Sequence, residues 1–256
     1  MINVTLFSAA FRDFLRFRRA VLWFIVVLGL YGVARVYLNV NNENTPDQAY
    51  ATLSAVLTFR LLPLASAIFS TAVISQEVEQ KTIVYLLTRP VARWRLLAMR
   101  GLASFAAVFI IAALAAMGIS MAVYQNPITP YLLKDLSALA IGSIGYGSLF
   151  ILVSLLINRA MIVCLLFAFG WETSVPNLPG SIFYLSLSTY LNKIAQRPKM
   201  PENNRGILDA LSGLLGTKPV TVSTSWIVLI VFSAACACLA AWWFTHFEYV
   251  PREDAE

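Results

Sequence analysis

Two charged side chains, Arg60 and Glu172, stand where the surrounding sequence is almost wholly apolar. A lone charge at membrane depth costs several kcal/mol, so each needs a partner or water. Counted along their apolar runs, Arg60 lies about 15 residues and Glu172 about 11 residues from the ends that share one side, which is roughly 22 and 16 Å. Two long side chains at those depths could meet. The pair reads either as a polar point on a path through the membrane or as an ion pair joining two helices.

Other chemistry is weakly represented. Cys164, Cys236 and Cys238 all lie in apolar runs, without CxxC or Cys/His spacing. Cys236 and Cys238, two apart and so about 200° around a helix, do not face one ligand and read as small buried residues. The single histidine, His246, makes no metal or haem centre. Nucleophilic catalysis needs a nucleophile and base at one depth, and the spans offer serines but no histidine or aspartate at depth. Gly213 to Lys218 only superficially resembles a phosphate-binding loop, and no G-x-x-x-x-G-K-[ST] occurs. No catalytic residue, metal site or nucleotide cradle is expected in this chain.

The composition says what must carry Arg60 and Glu172. Of 256 residues, 59% are hydrophobic and 12% charged, with a mean hydropathy of +0.73. Soluble domains carry roughly 25% charged residues; half that charge cannot cover a globule in water, so the surplus apolar surface calls for lipid. The reading is one all-α integral membrane domain over 1–256 with six spanning helices. These run from about Ala20 to Tyr37, Tyr50 to Ser75, Leu96 to Tyr124, Leu136 to Ile157, from near Met161, and from Ser225 to Phe244. Ala138, Gly142, Ser143 and Gly147 suggest close packing of the third and fourth against neighbours.

Residues 2–19 alternate differently. Leu6, Phe7, Ala10, Phe11, Phe14 and Leu15 share one helical face, while Ser8, Arg12, Arg16 and Arg19 share the other, as in a helix lying in the interface. The fifth helix breaks at Glu172 to Gly180, where Pro176, Pro179 and Gly180 cannot continue it. The helix is expected to end early and be followed by a re-entrant or outer-surface piece, with an outer segment at 184–224. Ile207, Leu208, Leu211, Leu214 and Leu215 suggest a short amphipathic helix.

Arginines before the first span and Lys81, Arg89, Arg93 and Arg95 after the second place the N-terminus and the 76–95 loop in the cytoplasm. Six crossings return the C-terminus there. Lys193, Arg197, Lys199, Arg205 and Lys218 in the outer segment run against that rule. The net charge of +6 accordingly points to headgroups rather than to nucleic acid.

Within the 76–95 loop, Ile83 to Leu87 are too apolar to float free, and Pro90 suits the first turn of a following helix. A short helix near 82–88 is expected, its apolar side seeking a partner or resting on lipid. The run Glu77-x-Glu79-x-x-Thr82-x-x-Tyr85-Leu86-Leu87-Thr88-Arg89-Pro90-Val91-x-Arg93 resembles the first cytoplasmic loop of type-2 ABC exporter permeases. It is most similar to the group of nitrous-oxide-reductase maturation, multidrug and bacteriocin-immunity permeases. Trp171-Glu172, Leu178-Pro179-Gly180 and Glu248-Tyr249 extend the resemblance along the chain.

The resemblance implies that Glu77, Glu79, Thr82, Tyr85, Leu86, Leu87, Arg89, Pro90 and Arg93 couple the membrane domain to an ATPase. It implies the permease subunit of an ATP-driven exporter in a prokaryotic plasma (inner) membrane. Partners would be two copies of an ABC ATPase, which bind ATP and Mg, and a second permease copy or a paralogue. The reading from another class is a non-transporting membrane scaffold or signalling subunit.

Overall fold

The computed structural model describes residues 2–14, 16–40, 45–79, 93–127, 129–157, 159–175, 184–196 and 221–246. The described elements are helical. They are α1 (Ile2–Phe14), α2 (Phe17–Val40), α3 (Pro46–Leu53), α4 (Phe59–Glu79), α5 (Arg93–Tyr124), α6 (Pro130–Leu156), α7 (Ala160–Leu166), α8 (Glu172–Ser174), α9 (Leu187–Ala195) and α10 (Val222–His246). Two π-turns join neighbours without a break: Ser54–Thr58 links α3 to α4, and Phe167–Trp171 links α7 to α8.

Five stretches among the described residues are long and apolar enough to cross a membrane: Arg19–Val40, Pro46–Val73, Trp94–Tyr124, Pro130–Leu156 and Val222–His246. The apolar helix Ala160–Ser174 is shorter. The helices begin earlier than hydropathy suggests because capping chemistry lies outside the apolar runs. Thr129 is extended (φ −125°, ψ 155°), its hydroxyl accepts from the Leu132 N–H at 3.3 Å, and Pro130 fills the first helical position. Thr45 and Pro46 start α3 in the same residue order.

α6 is the centre of the bundle, touching α4, α5, α7, α9 and α10. Its small residues allow this. A Cβ at Gly142 would stand 2.7 Å from a Leu62 methyl of α4 and 3.0 Å from a Leu191 methyl of α9. One at Gly147 would overlap the Phe105 ring of α5. α2 packs on α5 alone among its larger contacts, and most of its surface stays exposed within the chain. On α1, Ala10 and Phe14 are buried while Ser8, Arg12 and Asp13 are exposed, as the amphipathic pattern requires.

Leu187 lies beside Gly145 and Leu191 beside Gly142, so α9 runs antiparallel to α6. Gly145 is 15 residues from the Pro130 end, roughly 22 Å. The N-terminus of α9 therefore starts midway along α6, and only 9 residues rise from it. The expected helices near 82–88 and 207–215 lie outside the described residues. Cys164 and Cys236 are buried as expected, whereas Cys238 is exposed; two positions along a helix turn it to the opposite side.

Candidate functional site

A helix that begins inside the bundle leaves N–H groups where no water serves them. At α9 the acceptor is Glu172, which is 7% exposed. Its carboxylate accepts from the Leu187 N–H at 3.1 Å, the Ser188 N–H at 3.2 Å and the Ser186 hydroxyl at 2.6 Å. Ser186 holds the N-cap position but makes no side-chain cap bond to α9; its hydroxyl turns to Glu172 and lies 2.8 Å from that of Ser188. The carboxylate thus caps the helix from across the chain, and the positive end of the α9 dipole favours its charge.

The π-turn places it. The Glu172 N–H bonds the Phe167 carbonyl five residues back, and the wider turn carries the side chain inward. Widened turns of this kind recur at functional positions. Tyr146 of α6, 1% exposed, has its hydroxyl close enough to Glu172 to interact with its charge, yet the geometry does not complete a hydrogen bond. The Thr189 hydroxyl of α9 is likewise buried without a hydrogen-bond partner among the described residues.

Among the described residues of the single chain, Arg60 and Glu172 form no ion pair. Glu172 is satisfied by Ser186, Leu187 and Ser188, and Arg60 is exposed, while its neighbours Phe59, Leu61 and Leu62 are buried. The two were matched by depth, but depth does not specify the side of a helix to which a residue turns. Arg60 follows the Ser54–Thr58 π-turn, which shifts its angular position relative to the residues before the turn while leaving its depth nearly unchanged.

A third polar group was missed. Asp135 on α6 is 1% exposed. Its Oδ2 accepts from the Tyr50 hydroxyl at 2.9 Å and the Ser54 hydroxyl at 2.5 Å. Ser54 opens the first π-turn, so each π-turn adjoins a buried carboxylate contact. Nearby, the Tyr124 hydroxyl donates to Asp47 at 2.6 Å, and the Tyr50 ring packs against those of Tyr124 and Tyr131. Starting the fourth span at Leu136 put Asp135 in a loop, whereas it lies on α6, five residues past Pro130. The Thr129-Pro130 start signal would have found it.

Of the coupling residues, Glu77 and Glu79 lie in the last turn of α4 and Arg93 opens α5. Thr82, Tyr85, Leu86, Leu87, Arg89 and Pro90 lie outside the described residues.

Membrane-length apolar helices around a core that holds buried carboxylates and hydroxyls define a multi-pass helical membrane protein. The family model described as ABC-2 family transporter protein matches residues 5–245. The chain belongs to that family and is a membrane transporter subunit. No curated protein matches the chain.

Proposed function

We propose that the chain is the permease subunit of an ATP-driven exporter in a prokaryotic inner membrane, with both termini in the cytoplasm. Two copies, or one copy and a paralogue, enclose the path. Two ATPase subunits supply ATP hydrolysis and dock on residues 77–93, with Leu86 and Leu87 in the contact. Arg60 carries this reading. It is exposed on the single chain, 14 residues from the Pro46 end of an apolar span, roughly 21 Å deep. An arginine facing lipid there is costly. A second copy and a water-filled path between the copies remove that cost. On this reading Arg60 faces the path, while Glu172 supports its wall by holding α9.

Leu86→Asp tests the ATPase contact. A charge placed in that contact should release the ATPase on co-purification in mild detergent, with membrane insertion unchanged. Undiminished co-purification counts against the docking site and favours a scaffold without coupling.

Arg60→Met tests the path. The variant should assemble and retain its ATPase yet lose transport in sealed vesicles. Normal transport by Arg60→Met removes the path assignment.

A further inference from the structure

We propose that the groove between α1, α2, α4 and α5 is a binding site for one acyl chain of an anionic phospholipid, taken from the leaflet on the arginine-bearing side. The groove encloses about 350 Å³ and is lined throughout by apolar side chains, among them Phe14, Trp23, Val27, Phe69, Ile111 and Leu114. Its floor is aromatic. The Phe69 ring centroid lies 5.9 Å from that of Phe14, edge-on, and 5.6 Å from that of Trp23. From Ala20 to Val27 the lining runs seven residues along α2, roughly 10 Å, which suits an extended hydrocarbon chain better than a compact ligand.

The mouth supplies the headgroup chemistry. Phe14 ends the amphipathic helix α1, Arg16 lies in the link to α2, and Arg19 and Ala20 lie at the start of α2. Arg16 is 78% exposed, and its one ion pair among the described residues, to Asp13 (63% exposed), spans 3.9 Å. A pair so long and open to water is weak, so the guanidinium is available to a phosphate. Arg12 adds a further exposed cation on α1. An apolar slot below a cationic rim at the end of an interfacial helix matches a phospholipid that carries net negative charge.

The test uses the intact chain with its partners, reconstituted in phosphatidylcholine containing phosphatidylglycerol with acyl chains brominated at mid-length. Bromine quenches a tryptophan in contact with it. Subtracting the signal of Trp23→Phe, which retains an aromatic ring against Phe69, isolates Trp23. Brominated phosphatidylglycerol should quench Trp23 with about tenfold preference over brominated phosphatidylcholine, and Arg16→Gln with Arg19→Gln should reduce that preference to near unity. Equal quenching by the two lipids in the unaltered protein would mean bulk lipid only and overturns the proposal. Absence of quenching by either would mean that protein, such as a second copy of this chain, covers the groove, and overturns it equally.

Discussion

Replacing Glu172 by alanine is expected to cost about 3–5 kcal/mol of stability, the range seen when one partner of a buried charged network is removed. The carboxylate accepts from one hydroxyl and two backbone N–H groups. Each buried donor left unpaired costs about 1–3 kcal/mol, and the favourable contact with the α9 dipole is lost as well. Glu172→Gln keeps the volume and one acceptor oxygen, so its loss should be intermediate. Thermal midpoints of the detergent-solubilised protein, read by fluorescence-detected size exclusion, should fall in the order wild type, Gln, Ala. A Glu172→Ala protein as stable as the wild type would mean that the carboxylate does not hold α9. Because Arg60 is not its partner, Arg60→Met should neither rescue nor worsen the loss; the two changes should add.

The second large effect centres on Asp135. Tyr50→Phe combined with Ser54→Ala removes both donors to Oδ2 and leaves a buried carboxylate poorly compensated, again about 3–5 kcal/mol. Asp135→Leu alone strands two buried hydroxyls and should cost less. Combining all three replaces the network by apolar groups of similar shape, which is often close to neutral. The triple variant should therefore recover much of the loss of the Tyr50→Phe/Ser54→Ala protein. Losses that simply add across the three sites would show that the hydroxyls and carboxylate do not act together. The same series separates the roles of the two carboxylates. Asp135 ties α6 to α3 near the Pro130 end, whereas Glu172 ties α8 to α9 midway along α6.

Much of the architecture was legible before any coordinates because hydrocarbon is a demanding solvent. An uncharged apolar run must be helical to satisfy its own backbone there, so the apolar segments and the amphipathic α1 could be read directly. Helix ends were less legible. The residues that start α3 and α6 are Thr45-Pro46 and Thr129-Pro130, polar or neutral positions that hydropathy treats as loop. That error carried Asp135 out of its helix and out of view. The small residues of α6 did announce close packing, but not that Leu191 of the short helix α9 would fill the gap beside Gly142.

The sequence alone determined that this chain lives in a membrane, which segments are apolar enough to span it, and where charges interrupt them. Those are local properties, set by the transfer cost of each side chain, and the resemblance carried by residues 77–93 is local too. The partners of Glu172 and Asp135, and the exposed side taken by Arg60, were decided only by the tertiary structure. Two π-turns, each adding a residue that no periodicity reveals, alter the sides to which the following residues turn. The N-terminus of α9 is brought to Glu172 only once α6, α9 and α10 have packed. Depth along a helix is a one-dimensional quantity and can be counted. The side a residue faces, and so whether a buried carboxylate meets a guanidinium or the end of a helix, depends on packing among segments far apart in the chain.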